Sequence, residues 1–150
     1  MAKHTIKIRK FSDIQDEYKA DAIITPGMLL EITPTGVKKH ATAAGKHGAL
    51  FALEDELQGK TIDDNYVAAD RVQVWVAGRG DIVNALLEDE ANIAMGDFVE
   101  SNGEGKVQAV SGSYPVGFAL EAKNLSTLPE GSESSAGGDY YNPRIQIQII

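Results

Sequence analysis

At 150 residues and 16.1 kDa the chain is long enough for one domain with a sizeable core, and too short for two ordinary catalytic domains. Its 43% hydrophobic and 24% charged residues exclude a wholly disordered or fibrous chain; no run of eighteen apolar residues offers a membrane span, and no apolar stretch follows Met1-Ala2-Lys3-His4, so cytoplasmic synthesis without a secretory signal is expected. The absence of cysteine removes disulfides, thiolate metal sites and thiol nucleophiles, and 14 basic against 22 acidic residues, a net of −8, argue against coating a nucleic-acid backbone.

Residues 1–12 hold Lys3, Lys7, Arg9 and Lys10 and no acid, so a basic arm precedes an acidic body. Ile6 and Ile8 alternate with Lys7 and Arg9, which predicts a strand, either the first of the fold or one formed on a partner. Over Phe11–Ala20, Ser12 and Gln15 stand in capping-box spacing with Ile14 and Tyr18 four apart, a pattern that accommodates a short helix. Residues 1–26 are thus expected as an extended N-terminal arm and residues 27–150 as one β-domain.

Along that domain, Leu29 and Phe98 begin hairpins with turns Thr33-Pro34-Thr35-Gly36 and Asn102-Gly103-Glu104-Gly105, and return strands start near Val37 and Lys106. The Ala41–Gly48 stretch is a small-residue loop. Leu50–Gln58 is written in helix formers, but its twin Gly117–Ala122 follows Pro115 and is too short for a helix, so both are read as strands with Phe51 and Leu53 pointing one way. Gly78-Arg79-Gly80 separates the strands Arg71–Ala77 and Ile82–Leu87; helical spacing competes over Asp81–Glu90, and strand is preferred. Pro129–Asn142 is a serine- and glycine-rich loop, and Arg144–Ile150 alternates isoleucine with glutamine as a half-buried strand does.

Laying residues 24–76 on 93–149 shows a shared skeleton. Ile24-Thr25-Pro26-Gly27 answers Ile93-Ala94-Met95-Gly96, and Leu29-Leu30-Glu31 answers Phe98-Val99-Glu100. Phe51-Ala52-Leu53-Glu54 returns letter for letter as Phe118-Ala119-Leu120-Glu121, and Arg71–Val76 answers Arg144–Ile149. Each half exposes an apolar face that it cannot bury alone, so the halves are expected to pack into one core. About nine short strands result, which predicts an all-β sandwich or barrel, of jelly-roll or β-tulip type.

No reaction centre assembles from the reactive residues. His40 and His47 flank a flexible loop and could meet Asp63 or Asp64 to bind zinc, but their spacing matches no zinc motif, and Asp63-Asp64-Asn65 lacks the rest of a calcium loop. Ser111-Gly112-Ser113 has no Gly-x-Ser-x-Gly frame. Glu54-Asp55-Glu56 and Glu88-Asp89-Glu90 offer paired carboxylates, which on strand ends usually face water. Arg79-Gly80-Asp81 is a triplet common by chance, and Asn124-Leu125-Ser126 has no secretory route to glycosylation. No cofactor, metal or enzyme activity is expected.

Four segments, Leu50-Phe51-Ala52-Leu53-Glu54-Asp55-Glu56-Leu57-Gln58-Gly59-Lys60, Asp70-Arg71-Val72-Gln73-Val74-Trp75, Gly96-Asp97-Phe98-Val99-Glu100-Ser101-Asn102-Gly103 and Val116-Gly117-Phe118-Ala119-Leu120-Glu121-Ala122, resemble the head decoration (capsid cement) proteins of tailed bacteriophages. The resemblance covers roughly residues 27–150 and leaves out the N-terminal arm. It implies a non-enzymatic structural protein on the outer surface of the virion head, stabilising contacts between major capsid proteins, as a trimer in preference to a dimer. Ile6, Ile8 and Arg9 are then the expected capsid-binding residues of the arm, while Trp75, Phe98 and Phe118, on the repeated strands, are expected in the core or an oligomer interface. The alternative is a phage-tail or surface carbohydrate-binding β-domain that stacks Tyr114, Tyr140 and Tyr141 on sugar rings.

Overall fold

The computed structural model describes residues 4–11, 13–126 and 142–150, and the chain is all-β with antiparallel sheets. The first part of the chain gives β1 (Lys7–Arg9), β2 (Gln15–Lys19), β3 (Leu29–Ile32), β4 (Val37–Lys39), β5 (Leu50–Ala52) and β6 (Arg71–Val76), with one 3-10 turn at Glu56–Gln58. There follow β7 (Ile82–Leu86), β8 (Asn92–Ile93), β9 (Phe98–Ser101), β10 (Val107–Ala109), β11 (Gly117–Ala119), β12 (Lys123–Asn124) and β13 (Arg144–Ile149). One sheet runs β2-β6-β5-β3-β4, the other β1-β7-β13-β11-β9-β10, and β8 pairs with β12. Of the thirteen strands among the described residues, ten coincide with expected strands, β1 among them as the first of the fold; β2 comes from the segment read as accommodating a short helix, and β8 and β12 are two-residue pairings.

The pairings of the two large sheets correspond bond for bond. Leu29 opposite Phe51 has its counterpart in Phe98 opposite Phe118, and Phe51 opposite Trp75 in Phe118 opposite Gln148. β2 lies against β6 as β7 lies against β13, residues 15–19 answering 82–86 in the same register. The Thr33 N–H donates to Gly36 O, and Asn102 N–H to Lys106 O, so the second turn is one residue longer and Gly36 answers Lys106. The parallel bridges Ala20 to Val37 and Leu87 to Val107 also match.

Faces that meet in this structure are not equivalent ones. Leu29, Phe51 and Trp75 point from one face of the five-stranded sheet into a core shared with Val83, Val99, Ala119, Ile145 and Ile147 of the six-stranded sheet. The opposite face of the five-stranded sheet, with Leu30, Ala52, Val72 and Val74, is closed separately by Ala20, Ile24 and Tyr66. The Tyr66 hydroxyl donates to Leu53 O at 2.6 Å, and burial pushes its phenol up to about 12. The stacking is head to tail, and a head-to-tail contact leaves one face of the series open.

The N-terminal residues depart from expectation. The capping-box segment is the edge strand β2, because its backbone bonds to β6 supply partners that a solvated single-turn helix lacks. No extended arm is seen over the described residues before 27: β1 joins one sheet, β2 the other, and Ile24 is wholly buried. Leu50–Gln58 is strand only to Ala52 and ends in the 3-10 turn.

Close approach decides one glycine. A Cβ on Gly36 would sit 2.0 Å from the carbonyl oxygen of Lys19, a backbone atom that cannot move alone. Gly36→Ala should therefore force the β3–β4 turn away from β2 and cost roughly 1–3 kcal/mol, measured as a lower denaturation midpoint at unchanged slope.

Candidate functional site

The open face of the six-stranded sheet is the strongest candidate surface. Strand registers set Phe98 beside Phe118, Phe118 beside Gln148, Gln148 beside Ile82 and Ile82 beside Arg9, so these side chains form one row across five strands. Val110 extends it, its N–H donating to Phe98 O at 3.1 Å. The two phenylalanine rings meet edge to face, with centroids 6.3 Å apart and planes at 71°. Phe98 is 47% exposed, although its counterpart Leu29 is fully buried. At the far end the Arg9 guanidinium lies over the Phe11 ring, 5.3 Å from its centroid. The row is an aromatic and aliphatic band with a cation at one end.

Beside this band the chain ties down its own loops. Glu100 is fully buried yet accepts from Ser111 N–H, Ser111 Oγ, Gly112 N–H and Gln108 Nε2 at 2.8–3.2 Å. Burial pushes its carboxyl up, but these donors outweigh it and hold the group below the usual glutamate range. Its counterpart Glu31 accepts from Ala41 N–H in the corresponding way. Arg144 is buried with Nη2 donating to Pro26 O and Ile62 O, which bolts the segment before β6 to β13.

Most of the reactive groups named from the sequence already have structural work. His40 is buried between Ser101 Oγ and Lys46 O, each at 2.7 Å; the carbonyl fixes Nε2 as donor and leaves Nδ1 to accept from the serine. His47 faces Pro115 O through Nε2 and accepts from Ala49 N–H at Nδ1. Neither ring has a nitrogen left for a metal, and no cluster of three metal-ligating side chains occurs among the described residues. Asp81 of the Arg-Gly-Asp triplet is buried and accepts from Phe11 N–H and Gly78 N–H, so the triplet pins a hairpin and presents no free aspartate. Glu54 accepts from Ile6 N–H, Glu88 from Asn102 Nδ2, and Asp89 pairs with Lys106. Asn124 Oδ1 accepts from Ser126 in a local turn.

The residues expected at the capsid contact are divided by the fold. Ile6 is wholly buried in the main core and cannot be an arm contact. Ile8 sits half-buried at a register shift, where Lys7 opposes Val83 and Arg9 opposes Ile82. Only Arg9 of the three is exposed, and it falls at the end of the aromatic row. Trp75 is core, whereas Phe98 and Phe118 lie outside it because the six-stranded sheet turns the opposite face inward. Tyr114 is 42% exposed with Lys46 Nζ 5.7 Å above its ring; Tyr140 and Tyr141 lie outside the described residues. Val110 and Gln148 were missed, since only strand pairing brings them beside Phe98 and Phe118; Phe11, two residues after Arg9, was missed because it lies outside any strand. Replacing Ile6 with alanine should cost about 2–4 kcal/mol of stability, read by chemical denaturation.

Comparison of the chain with protein-family models gives no match, and comparison with curated proteins gives none. No helix among the described residues is long and apolar enough to cross a membrane.

Proposed function

We propose that the protein is a non-enzymatic decoration protein of a tailed-phage head, binding the outer surface of the capsid and stabilising contacts between major capsid proteins. The observation that carries the reading is the row Val110, Phe98, Phe118, Gln148, Ile82 and Arg9, exposed at Val110, Phe98 and Arg9, half-buried at Phe118 and Gln148 and buried at Ile82, on a sheet face whose counterpart in the other sheet is an interface. A flat aromatic band closed by a cation is suited to burial against another protein surface. The sequence resemblance supplies the class of partner. An oligomer, a trimer in preference to a dimer, would multiply weak contacts through effective concentration.

Co-sedimentation with expanded heads that lack the protein, with unexpanded proheads as control, tests the reading. Saturable binding to expanded heads is expected, and the copy number distinguishes trimer from dimer. A Phe98→Ser, Phe118→Ser double variant should keep its melting temperature within a few degrees and lose binding by at least about tenfold. No binding of the unaltered protein to either particle would overturn the reading.

A further inference from the structure

The correspondence between the sheets fails at one place. In the six-stranded sheet the outer edge of β7 is covered by β1: Asn84 N–H donates to Ile6 O at 2.9 Å, and Leu86 N–H to Gly27 O at 3.0 Å. β2 occupies the position of β7 in the other sheet, but it is the terminal strand there: β4 meets its outer edge only past the C-terminal end, where Asp21 N–H donates to Val37 O, and no described strand lies outside Gln15–Glu17. Ile14 O accepts from Val76 N–H and Ala20 N–H donates to Asp70 O, which fixes the alternation: Asp16 and Tyr18 turn their backbone groups to β6, and Gln15 and Glu17 turn theirs outward. Gln15, Asp16 and Glu17 are all exposed, and the five-residue register with β6 runs without a bulge.

We infer that the outer edge of β2 is an acceptor site for an extended basic strand from another chain, added to β2 as β1 is added to β7. Charge selects the occupant. Asp16 and Glu17 repel a second β2, so the edge is guarded against pairing with itself, while a strand with the lysine and arginine alternation of β1 meets opposite charge. Geometry favours the same occupant. A cavity of about 240 Å³ beside Gln15, lined by the carboxylates Glu54, Asp55 and Glu56 together with Lys7, Leu53 and Leu57, gives a cationic side chain of the added strand a place to lodge. Near Lys19 the edge is closed, because the Lys19 carbonyl lies against Gly36, so the pairing centres on Gln15–Glu17. The inference does not depend on the capsid reading, since it names the chemistry of the strand and not the protein that carries it.

The probe is a fluorescein-labelled peptide with the sequence of residues 4–11, titrated against the whole protein by anisotropy, with amide hydrogen exchange read residue by residue. Saturable binding is expected, with at least about tenfold slower exchange at Gln15 and Glu17. Glu17→Pro removes an outward N–H and spares every bond to β6, and should abolish binding. Asp16→Lys, Glu17→Lys keeps the backbone intact and should weaken binding by about tenfold or more; it serves alone if the proline variant unfolds. Absence of binding at millimolar peptide, binding undiminished in the charge-reversed variant, or protection at β7 in place of β2 would each overturn the inference.

Discussion

Trp75→Ala is expected to lower stability by about 3–5 kcal/mol and the melting temperature by on the order of 10 °C. The indole is fully buried, opposite Phe51 on one strand and Gln15 on the other, on the face through which the five-stranded sheet meets its neighbour. Its removal leaves a cavity in the one core that both large sheets share, so the loss includes the contact between sheets as well as the transfer of the ring. Urea denaturation followed by far-ultraviolet circular dichroism measures it, and an unmoved midpoint would contradict the placement of Trp75. Because Trp75 is the sole tryptophan, the emission of the unaltered protein should be blue-shifted when folded and move to the red in the same transition.

Glu100→Ala is the second large expectation, at about 3 kcal/mol, because the N–H groups of Ser111 and Gly112 would lose their acceptor. The charge matters too. A carboxyl held below its ordinary range in the folded state contributes stability that is complete above the unfolded value near pH 4 to 5, and is lost as pH falls through the lowered folded value. The unaltered protein should therefore lose stability below about pH 4, while Glu100→Gln, which cannot titrate, should start less stable and show a shallower acid limb. Parallel acid limbs in the two proteins would assign the pH dependence to other carboxylates.

The strand positions within 29–76 and 98–149 were legible because each repeated block carries its own period-two pattern and turn residues. What the sequence hid was the equivalence of Gln15–Lys19 with Ile82–Leu86, which share a place in the fold and almost no residue character. One is an edge strand open to water and the other is enclosed by β1 and β13, so burial selects acids and amides in the first and apolar residues in the second. That same exposure let the Ser12 and Gln15 spacing suggest a helix. Phe98 and Phe118 fall outside the core for a related reason: the blocks matched Leu29 and Phe51, both core, but a head-to-tail stack buries that face once and leaves its second copy outside. The band they form was legible only as separate residues, since alternation within a strand says nothing about which strands lie side by side. Ile6 read as an arm contact because its basic neighbours dominate the local composition, while its own side chain closes the core.

The strand order also governs how the chain reaches this state during synthesis. Every strand of the five-stranded sheet comes from residues 15–76, so that sheet has all its partners before the second half has been made. β1 pairs with β7, and β7 is held on its other side by β13, more than 130 residues after β1. β1 therefore leaves the ribosome long before its setting is complete, and Ile6 must stay exposed until β7 and β13 have been made.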